Sequence, residues 1–162
     1  MKIGLTIIAG LAVIMGIYWI SASQTPIVEE NKINVSLFLY NPKLDQGPGG
    51  VECSSKGLVA ISRAISETST PLKDSIGLLL KGELSQAEKN SGLTTEFPLE
   101  GLSLVTASIQ NGIANLTFSD PQNKTSGGSC RVSILRAQIE ATAKQFPAVT
   151  SVRILPEELF QP

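Results

Sequence analysis

The sequence predicts an α+β domain, in which a mixed β-sheet of four to five strands carries two packed helices. Strand-like and helix-like segments alternate in the order β-β-α-β-β-α-β. Each helix has a single apolar stripe and therefore needs only one sheet face to cover it. The chain has 162 residues, 42% of them hydrophobic, which suits one globular domain.

Five segments show the alternation of apolar and polar residues, with a period of two, that is typical of β-strands. They cover residues 33–40, 58–65, 102–109, 113–118 and 149–155. Between the third and the fourth lies the pair Asn111-Gly112. A type I′ turn prefers this pair, so the sequence predicts a β-hairpin there.

Two segments have helical periodicity. The first covers residues 71–81, with Thr70 as the cap and Pro71 at the first helical position. The second covers residues 130–145, with Ser129 as the cap. The two apolar stripes consist of Leu72, Ile76, Leu79 and Leu80, and of Val132, Leu135, Ile139, Ala143 and Phe146. A further helical turn is compatible with residues 85–89.

The N-terminus predicts a transmembrane helix before the domain. Residues 3–20 carry no charge, and 18 helical residues rise about 27 Å, enough to cross a bilayer. Lys2 precedes this run, and Glu29 and Glu30 follow it, which places the N-terminus in the cytoplasm and the domain outside. A cleaved signal peptide is the alternative, because small residues at 21–23 suit a cleavage site. A soluble core helix is the third interpretation, although the run lacks a polar face.

The predicted organisation has three parts. Residues 1–23 form the membrane anchor or signal peptide, residues 24–32 a polar linker with one proline, and residues 33–162 the domain. The anchor makes the protein a single-pass membrane protein with an extracytoplasmic domain. Cleavage would make it a secreted protein.

The composition argues against most catalytic chemistry. The chain has no histidine, which excludes Ser-His-Asp and Cys-His catalysis and His-based zinc sites. Its 13 basic residues balance 14 acidic ones, so no basic field for nucleic acid exists. Its two cysteines cannot form a four-thiolate metal site. We therefore expect no catalytic residue, no cofactor, no metal and no nucleic-acid partner.

Cys53 and Cys130 are the candidate structural site. Both lie beside loops rich in glycine and serine, and in an exported domain two cysteines most simply form a disulfide. Two alternatives stay open at this point. The cysteines could be inert thiols, or Cys130 could be a reactive thiolate at a helix N-terminus.

Arg63 is the candidate interaction residue. It lies among apolar residues in the middle of a predicted strand, and a half-buried arginine needs a partner. It can belong to a binding surface, to a structural ion pair or to an exposed strand face. The main loop glutamates could serve a glycosidase only as a closely placed pair, and we expect them to be solvated. They are Glu52, Glu67, Glu83, Glu88, Glu96 and Glu100.

Several short motifs follow one another in a characteristic order. They are VAISR at 59–63, LLLKG at 78–82, GLTT at 92–95, FP at 97–98, NGIANLTF at 111–118, QIEAT at 138–142 and QFPAV at 145–149. Together they resemble the GerMN domain, the sporulation and spore germination domain of bacterial envelope proteins. The resemblance covers residues 33–155.

The resemblance implies an exported or membrane-attached module that has no recognised catalytic residues and supports the assembly of envelope protein complexes. We therefore expect a non-enzymatic interaction module whose partner is an envelope protein or a second copy of itself. Two single-striped helices cover one sheet face, which leaves the other face or an edge strand for that partner. The alternatives are a cell-wall hydrolase, with titratable groups converging in a cleft, and an extracellular small-ligand sensor, with an enclosed apolar pocket.

Overall fold

The structure, a computed structural model, describes residues 31–161. The predicted membrane anchor and most of the predicted linker lie outside these residues. Within residues 31–161, no helix is both long enough and apolar enough to cross a membrane.

The described residues form seven strands and three helices. All five predicted strands and both long helices are present, and the further turn expected at 85–89 is a short helix. In chain order the elements are β1 (Lys32–Tyr40), β2 (Gln46–Gly47), β3 (Gly50–Val51), β4 (Leu58–Ser66), α1 (Pro71–Leu80), α2 (Gln86–Asn90), β5 (Ser103–Gln110), β6 (Ile113–Ser119), α3 (Ser129–Lys144) and β7 (Ser151–Leu155). Short 3-10 turns lie at Pro42–Leu44 and Ser55–Gly57.

The strands divide between separate sheets, which corrects the expectation of one sheet. Strands β1 and β4 form an antiparallel pair. Strands β5, β6 and β7 form a mixed sheet, in which β6 pairs antiparallel with β5 and parallel with β7. Strands β2 and β3 form a minimal hairpin. The α+β class and the mixed strand directions are therefore confirmed, whereas a single sheet of four to five strands is wrong.

The division has a physical cause, because side chains of α3 occupy the edge of β1 where another strand would pair. Gln145 accepts a hydrogen bond from the Ser36 N–H at 2.6 Å and donates to the Ser36 carbonyl at 2.8 Å. Thr142 accepts from the Phe38 N–H at 3.1 Å, and Gln138 donates to the Phe38 carbonyl at 3.3 Å. Gln138 and Thr142 on α3 and Gln145, the C-cap of that helix, are spaced i, i+4 and i+7, and we call these three residues the polar row of α3.

The hydrophobic core lies between the two sheets and the two long helices. The predicted apolar stripes of α1 and α3 contribute to it, and β1 and β6 supply alternate residues. Among its members are Leu37, Leu39, Leu72, Ile76, Leu79, Leu116, Phe118, Val132, Leu135, Ile139 and Phe160. Phe118 and Phe160 meet edge to face, with ring centroids 5.6 Å apart.

The structure contains the predicted hairpin turn and agrees in part with the predicted helix caps. Asn111 and Gly112 have φ of 51° and 81°, which is the left-handed backbone that a type I′ hairpin turn requires. Thr70 occupies the N-cap of α1 but makes no capping hydrogen bond with its side chain. The N-cap of α3 is Gly128 rather than the predicted Ser129, which is the first residue of the helix.

Candidate functional site

Cys53 and Cys130 form a disulfide in the structure, with their Cα atoms 5.1 Å apart. The bond joins the loop after β3 to the first turn of α3. The two cysteines are 77 residues apart in the sequence. Because both sulfur atoms are in the bond, neither is available as a nucleophile or a metal ligand.

Asp45 organises the loop that carries Cys53. It is only 1% exposed, and it accepts hydrogen bonds from the Tyr40 hydroxyl at 2.5 Å and from the Ser54 N–H at 2.6 Å. Burial opposes ionisation of Asp45, but hydrogen bonds from Ser54 and Tyr40 outweigh it and lower the pKa of the carboxyl. Burial and the bond to Asp45 raise the pKa of Tyr40 to about 12. Sequence reasoning missed this cluster, because a single loop aspartate carries no periodic signal.

Arg63 extends from β4 to Glu88 on α2 and forms a two-pronged ion pair. Its two terminal nitrogens lie 2.7 and 2.8 Å from the two carboxylate oxygens. Glu88 also accepts a hydrogen bond from the Ser85 N–H and so completes a capping box. The hydrogen bond from Arg63 lowers the pKa of Glu88 to about 2, against the opposing effect of burial. Arg63 is thus held in a structural ion pair, and 26% of its side chain remains exposed.

The other loop glutamates occupy separate surface positions. Glu52 pairs with Lys56 at 2.8 Å, and Glu96 pairs with Arg131. The remaining three are exposed; they are Glu67, Glu83 and Glu100. Among residues 31–161, no group of three or more His, Cys, Asp or Glu side chains could hold a metal ion.

The three-stranded sheet has one face against the core and one that no helix of residues 31–161 covers. Alternate residues of β6, such as Leu116 and Phe118, point to the core. The opposite side, which we call the outer face, consists of three rows across the sheet. The rows are Thr106, Thr117 and Leu155; Ser108, Asn115 and Arg153; and Gln110, Ile113 and Ser151.

The outer face is largely polar and carries few charges. Arg153 is the charged residue in its three rows, and it forms an ion pair with Glu157. Ile113 is 37% exposed on this face. Val105, at the bulge in β5, is 50% exposed. The face therefore combines hydroxyl and amide groups with the exposed side chain of Ile113.

A surface groove of about 630 Å³ runs along α1, and we call it the α1 groove. Its lining residues are Ile65, Lys73, Asp74, Gly77, Leu78, Leu80, Lys81, Pro98, Leu102, Ser103 and Leu104. A smaller cavity of about 310 Å³ lies beside Cys130 and is lined in part by Tyr40 and Gln138.

The family described as Sporulation and spore germination, the Germane domain, matches residues 38–158. The chain belongs to this family. The matched residues include those of the disulfide, the Arg63–Glu88 ion pair, the polar row of α3 and the outer face, so these lie within the GerMN domain of this chain. No curated protein matches the chain.

Two solved structures are similar to this GerMN domain. The tandem GerMN domains of the sporulation protein GerM from Bacillus subtilis share 19% identity with it, at a TM-score of 0.55 over 85% of this chain. The chain covers 43% of that structure. The first GerMN domain of the same protein shares 18% identity, at a TM-score of 0.52, with 78% of this chain and 86% of that chain covered. At these identities the likeness shows the fold.

The disulfide predicts a specific labelling and stability pattern. In the denatured, non-reduced protein, a thiol reagent should label neither cysteine until reductant is added. Cys53→Ser should lower the free energy of unfolding by about 2–4 kcal/mol, because the unfolded chain regains the freedom of a long loop. Cys130→Ser and the double variant should lose the same amount, since all three remove one bond. Immediate labelling of both cysteines, or additive losses in the double variant, would contradict the pairing.

The Arg63–Glu88 ion pair predicts a pH dependence of stability. The pKa of Glu88 falls from 4.5 to about 2 on folding. The ion pair therefore stabilises the fold fully above pH 4.5, and this stabilisation is lost as the pH falls toward 2. Glu88→Gln should lower the unfolding free energy at pH 6 by about 1 kcal/mol, the upper end for a pair near the surface. Urea titrations should show this gap closing between pH 4.5 and 2.

The pKa values of Asp45 and Asp120 are lowered as well. Both residues are present in the wild type and in Glu88→Gln, so their effects on the unfolding free energy cancel when these two proteins are compared. Glu67→Gln, which removes the same charge from an exposed position, is the matched control. Its unfolding free energy should differ less from that of the wild type. A gap for Glu88→Gln that stays constant from pH 6 to pH 2 would show that the ion pair does not stabilise the fold.

Proposed function

We propose that this GerMN domain is a non-enzymatic protein-interaction module of the bacterial cell envelope, held on the extracytoplasmic side of the membrane by its N-terminal apolar segment. Its partner is an envelope protein or a second copy of itself, and its role is to support the assembly of a protein complex. The observation that carries this proposal is the outer face of the three-stranded sheet, which no element of residues 31–161 covers.

The chemistry of the outer face suits a protein partner. Threonine, serine, asparagine and glutamine side chains cover most of it, and the centres of protein interfaces are depleted in charged residues. Ile113 adds exposed apolar surface. Both long helices contribute their apolar stripes to the core, so the outer face is left for a neighbour.

The carboxylates with perturbed pKa values support a non-enzymatic role, because each already has a structural task. Asp45 anchors the loop of Cys53, and Glu88 holds Arg63. Asp120 accepts hydrogen bonds from the N–H groups of Lys124 and Thr125. Burial opposes its ionisation, but these bonds outweigh burial and lower its pKa. A hydrolase instead needs an acid and a base that converge on a substrate.

Two features support an extracytoplasmic location. Residues 3–20 form an uncharged run preceded by Lys2, which fits an anchor or an export signal. A disulfide, here between a loop and a helix 77 residues apart in the sequence, is characteristic of proteins in an oxidising compartment. The GerM structures are domains of a sporulation protein, and they share the fold with this chain; the assembly role is our proposal.

Site-specific crosslinking tests the proposal in the native host. A photo-crosslinking residue at Ser108, in the middle row of the outer face on its edge strand β5, should give discrete protein adducts. The same residue at exposed Lys144, on α3, is the matched control and should give none. Ser108→Arg should remove partner binding while the unfolding free energy changes by less than about 0.5 kcal/mol, as for ordinary surface substitutions.

Two results would contradict the proposal. One is a set of adducts that is the same at Ser108 and at the control position. The other is loss of function when a single exposed glutamate, such as Glu67 or Glu100, is replaced while stability and partner binding are unchanged. The second result would favour the hydrolase.

A further inference from the structure

The α1 groove has a mostly apolar lining that also includes charged residues. Leucine and isoleucine side chains from α1, β4 and β5 are half-buried along it. Lys73 lies in the first turn of α1, and Lys81 lies directly after its last residue. Both lysines are exposed, and neither is in an ion pair within the described part of the chain.

Lys73, Gly77 and Lys81 form one stripe of the helix, since they are spaced i, i+4 and i+8. Eight helical residues place the two lysines about 12 Å apart along the axis. Asp74, the acidic residue in the lining, already accepts a hydrogen bond from the Thr70 hydroxyl. The groove lining thus has two lysines and one aspartate, so its net charge is positive.

Gly77 is the unusual residue of this stripe. Glycine in the interior of a helix is destabilising relative to alanine, and a Cβ atom at Gly77 would meet nothing within 4 Å. The packing of the domain itself therefore gives no reason for a glycine there. The missing side chain leaves a notch in the middle of the groove, between the two lysines, where the backbone of a neighbour can approach closely.

We propose that the α1 groove binds an extended, acidic and apolar segment of a partner polypeptide. Apolar side chains of the segment fill the notch at Gly77 and contact Leu78 and Leu104, while its carboxylates pair with Lys73 and Lys81. The inference rests on the proposed function and names the chemistry of one partner site.

An extended conformation suits this groove better than a helical one. The start of β5 lines the groove, and β5 is the edge strand of its sheet, hydrogen-bonded to β6 on one side. An extended segment beside it can use backbone groups as well as side chains. Because an extended chain rises about 3.3 Å per residue, carboxylates that reach both lysines are about four residues apart.

Selection of peptides from a random phage-displayed library tests this site. The purified full-length chain, kept in detergent because of its N-terminal apolar segment, is the target. We expect the enriched sequences to carry acidic residues about four apart around an aliphatic residue. Gly77→Leu, which fills the notch, should reduce their enrichment at least tenfold. Gly77→Ala should raise the melting temperature, so weaker binding by that variant would not come from unfolding.

Charge reversal gives a second, independent readout. The Lys73→Glu, Lys81→Glu double variant should enrich peptides with basic residues instead of acidic ones. The Lys43→Glu, Lys89→Glu double variant changes the net charge equally at exposed positions outside the groove, and it should select the same peptides as the wild type. If Gly77→Leu lost its fold by circular dichroism, the charge-reversal pair would decide the question.

Three results would overturn the inference. They are the absence of acidic and apolar peptides among the enriched sequences, equal enrichment on a folded Gly77→Leu variant, and a peptide preference that charge reversal at Lys73 and Lys81 does not change. The crosslinks from Ser108 distinguish failure of this inference from failure of the proposed function. If they persist while the groove selects nothing, the interaction module stands and only the peptide site fails.

Discussion

The polar row of α3 is the contact on which the architecture depends. A strand with an open edge has backbone donors and acceptors that need partners when they lie in the interior. Gln138, Thr142 and Gln145 provide those partners for Ser36 and Phe38 of β1. Further along the same strand, Tyr40 exchanges backbone hydrogen bonds with Thr94. Side chains of a helix thus take the place of a third strand.

This arrangement explains how two small sheets share one core. A two-stranded sheet alone is marginally stable, but α3 fastens the β1–β4 pair at its edge and also packs its apolar stripe against the β5–β6–β7 sheet. The disulfide fixes the start of the same helix to the loop after β3. The Arg63–Glu88 ion pair ties β4 to α2. Within residues 31–161, these ties leave the outer face and the α1 groove at the surface.

Local signals in the sequence predicted the long helices and the main strands well, because each of these elements depends mainly on residues that are close together in the chain. The Asn111-Gly112 pair specified its hairpin, and the apolar stripes of α1 and α3 specified their buried sides. Strand pairing was less predictable. Gln145 and Ser36 are 109 residues apart, and nothing in the spacing of α3 shows that its polar residues replace a strand. Arg63 illustrates the same limit, since its partner Glu88 belongs to a short helix whose position depends on the whole fold.

Amide hydrogen exchange tests the role of the polar row most directly. If α3 closes the edge of β1, the amides of Ser36 and Phe38 should be protected to an extent comparable with Leu116 in the central strand β6. Gln145→Ala should then lower the protection of Ser36 by more than that of Leu116. Exchange of Ser36 and Phe38 at nearly unprotected rates in the wild type, while Leu116 stays protected, would contradict the account.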